Sequence, residues 1–362
     1  MIFENHNQEL MKTTILLLAS LMTITDAETR DTPDKFGPKE ESHTLRITAR
    51  VTTEDGKPLE NADVHVAIEN FNDFKDNSND IRGKTNKDGK FSAEGVGRPQ
   101  ATIIASHEGY YWSSKEYGDW ENIEETRKTG KYIPWDPVIE LTLKKVGMPI
   151  PMIVRLNESD HKKVTPAPGK EAGFDLFEND WVAPQGKGKK SDLLITLNLE
   201  TDGKEDNKVT GEIRFGNPDD GLIPIMKLTH PESHLKYPPL AEENGYDLKT
   251  IHPVYPIVGK RDNAAAKEPV GYMFRIRTQK DKATGKIISA NYGKIITPPA
   301  HYNENVNPFL VYPYTWKDNK RILVPWYDFS CYLNPTPNDR NLEYDQHNNL
   351  APEADKGSIY EP

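Results

Sequence analysis

Cysteine is nearly absent from this chain of 362 residues, in which Cys331 is the single example. One cysteine excludes an intramolecular disulfide, so the fold must be stabilised by the burial of apolar groups. We expect Cys331 itself to be a small buried hydrophobe rather than a nucleophile. The chain also lacks the Gly-x-Ser-x-Gly elbow of α/β-hydrolases and the His-Glu-x-x-His signature of zinc peptidases.

Excess positive charge is missing as well. The formal net charge is −10, from 46 lysine and arginine residues against 56 aspartate and glutamate residues. A general nucleic-acid-binding protein carries a basic stripe, and this balance argues against that class of function. We therefore expect no nucleic-acid partner.

Long hydrophobic runs are limited to one segment near the start of the chain. Residues 15–22 are apolar, they follow Met11 and Lys12, and residues 25–27 place small side chains where a signal peptidase reads the chain. This pattern predicts a cleaved signal peptide over residues 1–27, with Met11 as the true start, and hence a secreted or periplasmic protein. The run is shorter than the roughly 20 apolar residues that cross a bilayer. No later run is longer, so we expect no membrane span.

A period of two dominates the sequence from residue 44 onward. In residues 45–51 and again in residues 62–68, apolar side chains alternate with polar ones. Strict alternation indicates strands with one buried and one exposed face. We predict a β-sandwich over residues 44–147, preceded by a charged, flexible lead-in over residues 28–43.

Two tight turns punctuate these strands. The DGKP segment at residues 55–58 supplies a glycine for positive φ and a proline whose φ is preset. The Asp-Gly pair at residues 88–89 is typical of a hairpin, which we predict over residues 85–91. With these turns, the strands are expected to form a Greek key.

The same residues carry a resemblance to a known family. The strings VTTEDGKPLENADVHV and GKTNKDGKFSAEG, followed by a strand that ends in EGY, resemble the carboxypeptidase regulatory-like domain, a transthyretin-like β-sandwich. The resemblance covers residues 44–146 and implies a module for folding and positioning, without an active site. Insertions at residues 70–80 and 111–132 depart from the family pattern. A specific role added to this domain would lie in these insertions.

A connector and further strand signals follow. The string GMPIPM at residues 147–152 has two closely spaced prolines, which favour a stiff, extended connector. The two-part layout around it also resembles uncharacterised secreted bacterial proteins. Alternation predicts one hairpin from residues 191–199 and 208–215, and the Thr284-Gly285 turn predicts another from residues 272–278 and 286–296.

These signals complete the predicted fold. We expect a second, β-rich domain with long loops over residues 148–333. Residues 334–362 are polar and contain several prolines, which predicts a tail that wraps the surface or is disordered. The predicted fold class of the whole chain is all-β.

Carboxylates crowd the string GFDLFENDW, where Asp175, Glu178 and Asp180 lie close in sequence. Paired carboxylates serve as acid and base in glycoside hydrolysis when they are held at a defined separation. These three are the candidate catalytic residues of a secreted hydrolase that acts on polysaccharide. The competing interpretation is a solvated loop.

Candidate metal ligands are equally few. His230 and His234 lie four residues apart in HPESH, a spacing that can hold zinc on one helical face, although a surface loop is favoured. Asp219 and Asp220 can coordinate calcium, but their string matches a turn better than a calcium loop. The glycine-rich basic segment at residues 186–190 lacks the phosphate-binding pattern. No cofactor is expected.

Aromatic residues are the strongest candidates for a binding surface. Those of the last strands are Tyr312, Tyr314, Trp316, Trp326 and Tyr327. Those of the first domain's insertion are Tyr110, Tyr111, Trp112, Tyr117 and Trp120. Exposed rings stack on sugars or form protein interfaces, whereas most aromatic residues of β-proteins are core.

Taken together, the sequence predicts a secreted, non-enzymatic β-protein that binds a glycan or an envelope protein. Two alternatives stay open at this point. One is the polysaccharide hydrolase, and the other is a structural subunit of a surface assembly, joined by strand addition at an exposed edge. The sequence predicts no particular oligomeric state.

Overall fold

A computed structural model gives the architecture of the protein. The residues that the structure describes are 42–69, 78–155, 163–200, 208–252, 269–296, 309–312, 315–317 and 320–352. The predicted signal peptide, almost all of the lead-in, most of the insertion at residues 70–80 and residues 353–362 lie outside this described part. The signal peptide and the location that it implies therefore stay predictions.

Seven strands form the first sandwich. They are β1 (His43–Thr53), β2 (Asp63–Glu69), β3 (Ser78–Lys84), β4 (Lys90–Gly97), β5 (Gln100–Ser106), β6 (Ser113–Gly118) and β7 (Val138–Leu143). One sheet has the order β4-β1-β7 and the other has the order β3-β2-β5-β6. All pairs are antiparallel except β1 with β7.

The alternation seen in the sequence builds the core of this sandwich. The apolar residues of β1 from Leu45 to Val51 are fully buried. They pack in one cluster with the alternate apolar residues of β2, β5 and β7. Removing such a face from water contributes about 25 cal/mol per Å² of apolar surface, which makes this burial the main stabilising term.

The turn at residues 88–89 forms, but the hairpin predicted around it is wrong. Gly89 has φ +72°, and a Cβ at this position would collide with the Val51 carbonyl oxygen, so the turn requires glycine. However, β3 pairs with β2 and β4 pairs with β1. The turn therefore carries the chain from one sheet to the other, because partner choice follows from which faces are buried rather than from the turn alone.

The insertion before β7 holds the one helix of the described residues, α1 (Ile123–Thr129). Its C-terminus is closed by Gly130, whose φ of +71° is the left-handed conformation that such caps favour. This helix is seven residues long, and no helix in the described ranges has the length and apolarity needed to cross a membrane. The all-β fold class is confirmed.

The remaining strands form a second body. They are β8 (Ile150–Arg155), β9 (Lys163–Val164), β10 (Ala172–Asp175), β11 (Asp180–Trp181), β12 (Leu193–Glu200), β13 (Lys208–Phe215), β14 (Gly221–Ile225), β15 (Thr250–Ile251), β16 (Gly271–Lys280), β17 (Ile287–Ile296), β18 (Leu310–Tyr312), β19 (Thr315–Lys317), β20 (Lys320–Ile322), β21 (Trp326–Asp328), β22 (Ser330–Asn334) and β23 (Tyr344–Asn349). Sheets of five and six strands dominate, with orders β11-β10-β12-β13-β15 and β14-β16-β17-β22-β8-β23. Smaller sheets have the orders β18-β21-β9 and β19-β20.

The six-stranded sheet is covered on both faces. On β16, Tyr272 and Phe274 belong to a core shared with the five-stranded sheet, whereas the intervening Met273 belongs to a different core. That second core includes Tyr246 from the segment after β14. A sheet buried on two sides explains why the sequence of β16 is a nearly continuous apolar run rather than an alternating one.

Both hairpins predicted for the second body are present. β12 pairs with β13, and β16 pairs with β17. In the last part of the chain, β18 pairs with β21, whereas β19 pairs with β20.

The predicted tail continues the second body past residue 333. β23 lies parallel to β8 at the edge of the six-stranded sheet, with Tyr344 opposite Ile150. Leu342 and Tyr344 are buried in the core cluster beside that sheet. The polar composition of the segment concealed these two apolar anchors, so residues 334–352 are folded rather than a disordered tail.

Candidate functional site

Asp175 ends β10 and is the best-connected of the three candidate catalytic carboxylates. Its side chain is 1% exposed. Oδ1 accepts the N–H groups of Phe177 (2.9 Å) and Glu178 (3.2 Å), and Oδ2 accepts those of Lys189 (2.9 Å) and Lys190 (3.0 Å). Asp175 thus holds the beginning of the segment between β10 and β12 next to its end.

Arg277 of β16 supplies the fifth donor to this carboxylate. Its Nη2 lies 2.8 Å from Asp175 Oδ1, and its Nε and Nη2 each lie 2.9 Å from an oxygen of Asp192. The guanidinium also covers the ring of Phe177, with Cζ 3.9 Å from the ring centroid. A fork-to-fork pair of this kind is strong and directional because two parallel N–H groups meet one carboxylate.

Asp220 completes what we call the Arg277 centre, defined by Asp175, Asp192, Asp220 and Arg277. Arg277 has φ +54° and lies where the β16–β17 register shifts. The shift frees two backbone N–H groups, those of Arg277 and Thr278, and each donates to Asp220 at 2.9 Å. Asp220 therefore accepts the N–H groups that the bulge leaves unpaired, and the bulge orients Arg277.

Burial and hydrogen bonding shift the pKa values of the three aspartates in different directions. Burial acts to raise the pKa of Asp175, but three backbone hydrogen bonds and the charge of Arg277 together hold that pKa below its ordinary value. Burial raises the pKa of Asp192 above its ordinary value, despite the bonds from Arg277. Burial likewise raises the pKa of Asp220.

Neighbouring carboxylates whose pKa values are shifted in opposite directions are also typical of acid–base sites. The oxygens of Asp175 are nevertheless fully used, because five donors converge on them. A carboxylate of two oxygens has about four lone-pair positions. No acceptor position is left for a water molecule or a substrate hydroxyl, so the geometry favours a structural role.

The other two candidate carboxylates are held separately. Asp180 lies opposite Asp175 in the β10–β11 pair, but its oxygens accept the N–H groups of Trp181 (2.8 Å) and Lys187 (2.9 Å). Glu178 is partly exposed and pairs with Lys189. The fold thus brings Asp175 and Asp180 together, and both side chains accept backbone N–H groups of residues 187–190.

The two candidate zinc ligands do not converge. His230 Nδ1 lies 3.5 Å from Glu232, while the ring of His234 stacks on Trp112 with centroids 4.6 Å apart. Asp219, a candidate calcium ligand, pairs with Lys280. Within the described ranges, no group of three or more His, Cys, Asp or Glu side chains is placed to hold a metal ion.

Two of the candidate binding aromatics are core residues. Trp326 and Tyr327 are 8% and 1% exposed, and the ring of Tyr327 packs edge-on against Trp181 at 5.8 Å. These two rings are therefore withheld from solvent. Tyr314 and the side chains of Tyr312 and Trp316 lie outside the described part, so a binding role for those three stays a prediction.

The first domain's insertion does present an exposed ring. Trp120 is 46% exposed and precedes α1. Trp135 follows the helix, and the Lys131 ammonium lies 4.6 Å from its ring centroid. The two flanks of the insertion meet where Asn122 Nδ2 donates to the Ile133 carbonyl at 3.4 Å.

Sequence reasoning missed Arg277 and Asp192 as members of a site. Asp192 adjoins Leu193 of an alternating strand, and that pattern places it on an exposed face, whereas it is 1% exposed. Arg277 had no signal of its own, because its role depends on a bulge and on partners up to 102 positions away in sequence.

Comparison with known proteins assigns neither a family nor a function to the chain. No protein-family model matches the chain, and no curated protein matches it either. The carboxypeptidase regulatory-like domain is thus not shown by these comparisons and remains a resemblance.

Several solved structures are distantly similar. One is 3-chlorocatechol 1,2-dioxygenase from Rhodococcus opacus 1CP, at 16% identity and a TM-score of 0.22, covering 30% of this chain and 63% of that one. Another is catechol 1,2-dioxygenase from Acinetobacter sp. ADP1, at 14% identity and a TM-score of 0.21, covering 38% and 70%. A third is a DUF3823 family protein from Parabacteroides merdae ATCC 43184, at 10% identity and a TM-score of 0.19, covering 65% and 90%. Scores this low establish neither a shared fold nor a shared activity.

Proposed function

We propose that the chain is a non-enzymatic, secreted or periplasmic β-protein that binds a glycan of the cell envelope or its surroundings. The observation that carries the non-enzymatic part is the saturation of Asp175 by five internal donors. A buried carboxylate used in this way stabilises loops and strands. It is not available as a nucleophile, an acid or a base.

A polysaccharide hydrolase needs a different arrangement. Its two carboxyl groups flank the scissile bond at about 5–10 Å, each with a free oxygen for the sugar or for water. Asp175 and Asp180 both use their oxygens on backbone N–H groups, at 2.8–3.2 Å. Nothing in this geometry favours hydrolysis over binding.

The binding part of the proposal rests on the insertion around α1. An exposed indole offers a flat apolar face on which a sugar ring stacks, and neighbouring polar groups then fix its orientation. Trp120 has such exposure, and Lys131 and Trp135 lie on the other flank of the same insertion. We therefore place the glycan-binding surface here, with Trp316 as a second position taken from the sequence.

A glycan-array screen of the full chain tests the proposal. We expect binding to one class of glycan, and Trp120→Ala is expected to raise the Kd about tenfold, or about 1.4 kcal/mol. Ile288→Ala, which removes an exposed apolar side chain of the second body, serves as the control and should leave the Kd unchanged. Absence of binding to every glycan would refute the glycan proposal, and unchanged binding by both Trp120→Ala and Trp316→Ala would refute the placement.

A further inference from the structure

The first sandwich and the second body meet along a contact that we call the seam, formed by residues 111–114 with residues 230–234 and by Glu343 with the connector. Ser113 pairs with Ser233 in an antiparallel bridge. The bridge is flanked by two backbone hydrogen bonds of 2.9 Å, from His234 N–H to the Trp112 carbonyl and from Ser114 N–H to the Glu232 carbonyl. The sandwich sheet is thus extended by residues of the second body.

Side chains reinforce this backbone pairing. The rings of Trp112 and His234 are nearly parallel, at 23° and 4.6 Å. Tyr111 meets the same histidine edge-on at 6.4 Å. Stacked and edge-on rings contribute beyond the area that they bury, and they oppose rotation about the seam.

Glu343 supplies the most specific contact. It is 5% exposed and accepts three hydrogen bonds, from the Tyr111 hydroxyl (2.8 Å), Gly147 N–H (2.8 Å) and Met148 N–H (2.9 Å). One carboxylate thereby joins the sandwich, the connector and the last part of the described chain. Burial and the bond to Glu343 raise the pKa of Tyr111 far above its ordinary value, so its hydroxyl stays protonated and remains a donor.

The residues of the connector fit this carboxylate. A Cβ on Gly147 would lie 2.5 Å from Glu343 Oε2, so any larger residue here would force the carboxylate to shift. The Ile150 N–H donates to the Glu343 carbonyl at 2.8 Å, and Asn341 Nδ2 donates to the Met148 carbonyl at 2.7 Å. The prolines of the connector have no N–H to offer, and the other connector residues, Gly147, Met148 and Ile150, donate the bonds.

We propose that Glu343 is a clamp that locks the connector and holds the two bodies in one fixed orientation. The connector is consequently not a hinge, although a proline-bearing link between two β-structures suggests one. A surface on the first sandwich and a surface on the second body then act as one rigid platform. This inference is independent of the proposed glycan binding, because it concerns only how the bodies are joined.

A distance measurement on the full chain tests the clamp. Spin labels are placed at Lys87→Cys and Lys282→Cys, two exposed positions, one on each body. Cys331 does not compete for the label, because it is buried and its pKa is raised to about 12 by that burial. We expect one narrow distance distribution for the otherwise unchanged chain and a broad one for Glu343→Ala.

Two further variants separate release of the clamp from loss of the fold. Tyr111→Phe removes one donor and keeps the ring. It should accelerate tryptic cleavage after Lys145, which is exposed, about tenfold through easier local opening, while the circular dichroism spectrum stays native. Glu243→Ala, which removes an exposed carboxylate of the second body, should change neither measurement. A broad distribution before any substitution, or an unchanged narrow one with unchanged cleavage in both Glu343→Ala and Tyr111→Phe, would overturn the proposal.

Discussion

Replacing Arg277 with methionine should lower the stability of the second body. The substitution keeps an unbranched side chain of similar length but removes the guanidinium. Asp175 and Asp192, each 1% exposed, then lose the guanidinium that bridges them. Their remaining hydrogen bonds come from backbone N–H groups, which do not neutralise a second negative charge.

The magnitude follows from the contacts. At about 4 Å and an effective dielectric constant near 20, one unit-charge pair is worth about 4 kcal/mol. Removing one partner of a buried ion pair costs about 3–5 kcal/mol in measured cases, because an uncompensated charge is left behind. We therefore expect Arg277→Met to lower the free energy of unfolding by about 3–5 kcal/mol at pH 7.

Equilibrium urea unfolding, followed by tryptophan fluorescence, measures this loss. The matched control is Arg214→Met, which breaks an ion pair with Glu171 at 2.6 Å whose two side chains are 45% and 41% exposed. Exposed pairs contribute about 0–1 kcal/mol. If Arg277→Met costs no more than Arg214→Met, the Arg277 centre does not stabilise the fold and the reasoning fails.

Two further predictions concern pH and packing. Because the folded pKa of Asp175 is held below its ordinary value of 3.8, its contribution is fully present above that pH and is lost as the pH falls through the folded pKa. The gap in unfolding free energy between the unmodified chain and Asp175→Asn should therefore narrow below pH 3.8, and a gap that is constant across this range would contradict the shift. Gly293→Ala would press a methyl group onto the Phe274 ring and the Tyr332 carbonyl, which should cost about 1–3 kcal/mol in the same urea assay. Gly118→Ala, whose nearest neighbour would be Gln100 Cγ at 3.9 Å, should be close to neutral, and equal costs for the two alanines would refute the packing argument.

Local alternation accounts for the part of the fold that the sequence predicted. The strand at residues 45–51 and the hairpin formed by β12 and β13 each have one buried face, and a period of two reports that directly. The six-stranded sheet is harder to predict from the sequence, because its central strands are buried on both faces. Their apolar residues do not alternate with polar ones. Strand partners across sheets, as at the turn of residues 88–89, depend on global packing that a turn sequence does not encode.

The candidate site was only partly predictable for a related reason. Asp175 was identified because carboxylates cluster in its segment, yet its role follows from Arg277 and from backbone donors of a loop. Asp192 and Asp220 are expected at the surface because aspartate is mostly exposed in proteins, whereas both are buried. The polar composition after residue 333 gave no sign that Leu342 and Tyr344 are two buried anchors.

Carboxyl footprinting of the native full chain tests the central claim, that the buried carboxylates of the second body serve the fold and not a reaction. The chain is treated with a carbodiimide and glycine ethyl ester, and the modified positions are read by mass spectrometry. We predict that Asp175, Asp192 and Asp220 stay unmodified, whereas Glu178, whose side chain is 40% exposed, is modified. Modification of Asp175 in the folded chain would show a carboxylate open to solvent and would contradict the account.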